Sequence, residues 1–84
     1  MPDVRILLAD DHAVLRQGLR RILEEQHGWS VVGEAANGRD AVSQVEALEP
    51  HVAVLDIAMP LLNGIEATRQ LIRRIPATRV LILS

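Results

Sequence analysis

The sequence predicts an α/β domain, a doubly wound parallel sheet of strand order 2-1-3-4 with helices on both faces. Three observations lead there. Short, nearly continuous apolar runs alternate with amphipathic segments of helical period, the pattern of buried parallel strands joined by helices. Two of those runs, RILLADD at residues 5–11 and HVAVLDI at 51–57, each deliver aspartate at the carboxyl end: Asp10 and Asp11 in one, Asp56 in the other. Right-handed crossovers set these two strands side by side, with the winding direction reversing between them. Open α/β sheets bind ligands at such a reversal, beyond the carboxyl ends of the strands.

The elements run in order. A first strand covers residues 4–9 and a first helix 13–26. That helix is expected to turn Leu15, Leu19, Ile22 and Leu23 inward and Arg16, Arg20 and Glu24 outward, with Gly28 as its stop. A second strand is expected at 30–35. A second helix at 38–48 comes next, capped by Asn37, with Asp40 in its first turn and Pro50 closing it. The third strand is read at 52–57. The loop AMPLLNG then leads into a third helix at 65–75, where Asn63 and Glu66 have capping-box spacing. Ile65, Leu71 or Ile72, and Ile75 are expected to face inward, and Pro76 ends the helix. A fourth strand, RVLILS, starts at Arg79.

The chain has 84 residues, and a domain of this size buries roughly 60–65% of its surface. With 49% hydrophobic and 24% charged residues it is globular rather than disordered. There is no cysteine, which excludes disulfide and thiolate chemistry. The net charge of -2 gives no electrostatic reason for this segment to bind nucleic acid. All nine basic residues are arginine, and Trp29 is the single aromatic residue. No run approaches a membrane span, and MPDVRILLAD lacks the features of a secretory signal, so the expectation is a cytoplasmic protein without a membrane partner.

Three carboxylates at one sheet end repel unless a cation or proton offsets them. The residues therefore point to a divalent metal and to phosphoryl chemistry. The bland alternative is that Asp10 or Asp11 caps the first helix. His12 reads as a surface residue at the helix start, because imidazole does not suit Mg²⁺. Arg16 reads as solvated surface. Met59 and Pro60 read as architecture that holds the loop beside the site, and Gly64 as relief of backbone crowding.

LLADDHAVLRQGL, VLDIAMPLLNGIEA and the terminal LILS together resemble the receiver domain of bacterial two-component response regulators. DDH at residues 10–12 with Arg16, Gly18 and Leu19 is similar to receivers that precede a helix-turn-helix DNA-binding domain of the LuxR or NarL type. The resemblance implies a flavodoxin-like (CheY-like) fold. It implies Asp56 as the acceptor of a phosphoryl group from a sensor histidine kinase. It implies Mg²⁺ held by Asp11, Asp56 and the backbone carbonyl of Ala58, with Asp10 acting through water. Ser84 resembles the switch residue whose hydroxyl reorients toward the phosphoryl group. The protein would not be an enzyme beyond receiving and losing that group.

Against the family pattern, residues 1–84 are expected to form a partial receiver, running from strand 1 to strand 4 with the fifth strand and its lysine missing. DNA would then be reached only through a missing C-terminal domain. The apolar fourth strand would leave an edge inviting a homodimer or a domain-swapped oligomer. Two other readings stand beside this one. One is a truncated or inactive receiver acting as a protein-interaction module. The other is a Mg²⁺-dependent aspartyl phosphohydrolase or phosphotransferase, against which stands Ala58 where a second acid would be expected.

Overall fold

A computed structural model describes residues 3–83. The chain runs β1 (Val4–Ala9), α1 (Ala13–Glu24), β2 (Trp29–Ala35), α2 (Gly38–Leu48), β3 (Val52–Asp56), α3 (Gly64–Arg74) and β4 (Arg79–Leu83). All pairings are parallel and the strand order is β2-β1-β3-β4. The reversal of winding between β1 and β3 therefore stands where the alternating pattern predicts it.

Alternation along the central strands divides the core in two. Leu7 and Ala9 of β1 and Ala53 and Leu55 of β3 face α2 and α3, where Ala41, Val45, Ala67 and Leu71 are all buried. Ile6, Leu8 and Val54 face the other way, toward Leu19 and Leu23 of α1. Strands buried on both faces show no polar alternation, which is why they read as unbroken apolar runs.

Strand β2 breaks its own alternation. Ile6 pairs with Val31 and Leu7 with Gly33, so Val32 is an extra residue. This bulge inverts the facing of the residues beyond it. Val31 belongs to the α1 side, whereas Gly33 and Ala35 lie on the α2 side. Glu34 is thereby sent toward α1, where Arg16 and Arg20 bind it.

Polar groups finish the helix ends. The side chains of Asn37 and Asn63 accept hydrogen bonds from the backbone N–H groups of Asp40 and Glu66. Glu66 itself pairs with Arg69, so only half of the capping box forms. Arg5 reaches from β1 to donate to the carbonyls of Leu48 and Glu49, which end α2.

Several expectations need correction. Helix α1 ends at Glu24 rather than 26, and a turn carries the chain to Gly28 at φ +83°. Leu15 and Ile22 are 52% and 60% exposed; the stripe facing the sheet is Arg16, Leu19, Arg20 and Leu23. Arginine stems can cover apolar surface while their heads find polar partners, and Glu34 supplies that partner here. In α3 the inward residues are Ala67 and Leu71, with Ile75 packed beside them, whereas Ile65 and Ile72 are turned out. Ser84 lies outside the described residues.

Candidate functional site

Strands β1 and β3 end side by side, and their last residues and the turns beyond them supply the site. Asp56 closes β3, while Asp10 and Asp11 come directly after Ala9 at the end of β1. Among the described residues, Asp10, Asp11, His12 and Asp56 form an acidic cluster in which one ligand atom from each lies within 4.8 Å of all the others. The three aspartates selected from the sequence are thus brought together.

They sit in different surroundings. Asp10 is 2% exposed, whereas Asp11 is open to solvent and Asp56 is half-buried. Asp10 does not cap α1, because His12 occupies the N-cap position without a side-chain cap. Instead, Asp10 Oδ1 accepts the backbone N–H of His12 at 2.8 Å, and the Asp10 N–H donates to the Ala35 carbonyl at 3.0 Å. The Ala58 N–H donates to Asp56 Oδ1 at 3.4 Å, which places Ala58 on the rim of the cluster.

His12 is more than a surface residue. Its side chain is exposed, yet Nδ1 lies 3.0 Å from Asp10 Oδ1 and 3.1 Å from Asp11 Oδ1. The hydrogen bond to Asp10, and then the charge of Asp11, raise the imidazole above its usual pKa. Helix periodicity carries no signal for this contact; the adjacency of His12 to the acid pair does.

The loop after β3 is built close against the site. Met59 is buried in the core among exposed neighbours. A Cβ on Gly38 would strike the backbone of Leu62, and one on Gly64 would strike the carbonyl of Asp56, so both glycines permit contacts between main chains. Gly64 as relief of crowding is borne out.

Arg16 is the second correction at the site. Its side chain is only 19% exposed. Nε donates to Glu34 Oε1 at 2.8 Å and Nη1 donates to the Asp10 carbonyl at 2.5 Å. Arg20 Nη1 donates to the other Glu34 oxygen, also at 2.5 Å. The hydrogen bond from Arg20, reinforced by Arg16, holds the Glu34 carboxyl below its ordinary pKa against the opposing effect of burial.

The sequence matches the response regulator receiver domain over residues 6–84. The chain belongs to that family. It is 44% identical over 81 residues to the transcriptional regulatory protein DegU of Brevibacillus brevis, covering 96% of this chain and 34% of that protein. It is 49% identical over 81 residues to a protein-glutamate methylesterase/protein-glutamine glutaminase of Alkalilimnicola ehrlichii, covering 96% of this chain and 20% of that protein. Among solved structures, the signal receiver domain of the response regulator NarL from Mycobacterium tuberculosis superposes with a TM-score of 0.93 at 35% identity, covering 98% of this chain and 66% of that one. The receiver fold and family expected from DD, the D-x-x-M-P-x-x-N-G pattern of residues 56–64 and the terminal LILS are therefore established. Receiver domains bind Mg²⁺ at an acidic phosphorylation site, and the cluster here is acidic in the same sense. Among the described residues, no helix is long and apolar enough to cross a membrane.

Proposed function

We propose that this receiver accepts a phosphoryl group on Asp56 from the phosphohistidine of a sensor histidine kinase. The observation that carries the reading is the convergence of Asp10, Asp11 and Asp56 at the carboxyl ends of two adjacent parallel strands. A carboxylate oxygen of Asp56 forms the new bond to phosphorus. The bond to the donor imidazole breaks, and its electron pair stays on the imidazole nitrogen, which then takes a proton. Little covalent work is asked of the protein in such a transfer, so positioning and charge neutralisation dominate.

The residues present suit Mg²⁺. The set offers carboxylate oxygens in one ion-sized cluster, with Asp11 and Asp56 still reachable by water, as a hard ion that prefers oxygen and retains several waters requires. Asp11, Asp56 and the carbonyl of Ala58 would hold it directly, and the buried Asp10 through water. When bound, the ion neutralises the negative charge that three aspartates and a phosphoryl group bring together. Asp56 supplies the nucleophile, and Gly64 keeps the loop close behind it. Ser84 is assigned the switch hydroxyl on family likeness alone.

Residues 1–84 are read as the β1-to-β4 part of a receiver in a cytoplasmic transcription regulator. The coverage of 34% of DegU supports a longer parent, and DNA would be bound by a separate output domain. Salmonella RcsB, 26% identical over the matched region, has been solved bound to promoter DNA in the presence of the phosphomimetic BeF₃⁻. The methylesterase relative carries a similar receiver, so an enzymatic output is the second reading. The sequence downstream of Ser84 in the gene distinguishes the two.

The test is intact mass after exposure to acetyl phosphate with Mg²⁺, for this chain and for its longer parent. The expected result is a gain of one phosphoryl group on the parent, abolished by Asp56→Asn. No gain on the parent, or a gain that survives Asp56→Asn, overturns the reading.

A further inference from the structure

We propose that Arg16, anchored by Glu34, is a positioning residue that fixes the main chain from which the Asp10 and Asp11 carboxylates project. The inference rests on the reading of this cluster as a Mg²⁺ and phosphoryl site. Its basis is a chain of contacts running from β2 through α1 to the end of β1.

Asp10 is gripped from both sides of its main chain. Its N–H donates to the Ala35 carbonyl of β2, as a continuing sheet would dictate. Its carbonyl points beyond the sheet and is taken by Arg16 Nη1 at 2.5 Å. That carbonyl belongs to the rigid peptide plane joining Asp10 to Asp11. With the Asp10 N–H held as well, fixing it sets the Cα–Cβ bond that leads to the buried carboxylate, and it places the Cα from which the exposed Asp11 carboxylate extends.

Arg16 is itself held. Its Nε donates to Glu34 Oε1 at 2.8 Å, and the second Glu34 oxygen is occupied by Arg20. The Glu34 main chain is secured as well, because its carbonyl accepts Gln44 Nε2 of α2 at 2.7 Å. Glu34 reaches the α1 side only because of the extra residue Val32. Regular alternation would place Glu34 on the face opposite Val31, toward α2 and away from Arg16. Bulges next to functional sites commonly re-aim a side chain, and here the redirected carboxylate serves the guanidinium that grips Asp10.

Arg20 supplies the control. It shares Glu34 with Arg16 and also pairs with Glu24, but none of its contacts reaches Asp10. An arrangement that merely stabilised the fold would make the two arginines equivalent in their effect on the site.

The experiment is calorimetric titration with MgCl₂ of the chain and of Arg16→Gln, Glu34→Gln, Arg16→Gln/Glu34→Gln, Arg20→Gln and Asp11→Asn, with urea midpoints measured in parallel. Loss of groups that orient metal ligands typically weakens binding about 10–100-fold. Arg16→Gln is therefore expected to raise the Mg²⁺ dissociation constant roughly tenfold or more. Glu34→Gln should shift it in the same direction, the double variant should be no worse than Arg16→Gln alone, and Arg20→Gln should stay within about twofold. If Arg16→Gln does not fold, the Glu34→Gln and Arg20→Gln pair decides. Mg²⁺ affinity unchanged in folded Arg16→Gln or in Glu34→Gln, or lowered equally by Arg20→Gln, overturns the positioning role while leaving the metal site standing. Mg²⁺ affinity unaffected by Asp11→Asn removes the metal-site reading and this inference together.

Discussion

Gly64 opens α3 directly against the backbone of Asp56: a methyl group there would overlap the Asp56 carbonyl oxygen and lie 2.9 Å from Cα of Ile57. The Gly64 N–H donates to the Ile57 carbonyl at 3.0 Å. Gly64→Ala must therefore push the helix start away from the end of β3. The expected outcome is a stability loss of about 1–3 kcal/mol, the usual range for overpacking, with slower phosphorylation of Asp56. Urea denaturation and phosphorylation by acetyl phosphate check the two parts, and an unchanged urea midpoint would contradict the close approach.

Acid should weaken the Arg16–Glu34–Arg20 cluster. The folded pKa of Glu34 lies below its ordinary 4.5, because hydrogen bonds from Arg20 and Arg16 favour the charged form. A depressed carboxyl contributes stability above its unfolded pKa and loses it as pH falls through the folded value. The stability gap between the protein and Glu34→Gln is thus expected to be full above pH 4.5 and to shrink steadily below it. Urea midpoints of both proteins from neutral to acid pH measure this gap; a gap that widens toward low pH would refute the assignment.

Adjacent residues of α3 should behave oppositely. Leu71 is fully buried between the sheet and α2, while Ile72 is 62% exposed. Leu71→Ala is expected to destabilise by about 2–5 kcal/mol, and Ile72→Ala by no more than about 0.5 kcal/mol. Comparable losses at both positions would show that the helix is rotated from the orientation described.

Among the described residues, strand β4 stands at one end of the strand order and pairs with β3 alone, with Leu81, Ile82 and Leu83 all substantially exposed. Exposed apolar edges template association. The 84-residue chain is expected to sediment with an apparent mass that rises with concentration, and Leu81→Lys to reduce that rise. A monomer at every concentration would rule this out.

The fold is legible in the sequence because its signals are local. Apolar runs mark the strands, Asn37 and Asn63 mark helix starts, and aspartates at two strand ends locate the reversal of winding. The features that escape such a reading depend on distant partners. Leu15 and Ile22 read as inward because they are apolar, but α1 turns Arg16 and Arg20 toward the sheet since Glu34, 18 and 14 residues away, receives them. The bulge at Val32 that brings Glu34 there leaves only a Gly-Glu step in an otherwise strand-like run. At the site, the aspartates are readable from their positions. The contact of His12 is hinted at by its adjacency to the acid pair, but the grip of Arg16 on a main-chain carbonyl is not readable, because backbone geometry rather than residue pattern decides it.

The buried thioether of Met59 gives the β3–α3 loop a built-in reporter. Its neighbours Ala58, Pro60 and Leu61 are exposed, so the side chain, with the partly buried Leu62, anchors an otherwise solvated arch. Peroxide reaches a thioether only when it is uncovered, and the resulting sulfoxide is too polar to return comfortably to an apolar site. The rate of sulfoxide formation at Met59 therefore counts how often the arch lifts from the core, and converting it would hold the arch open.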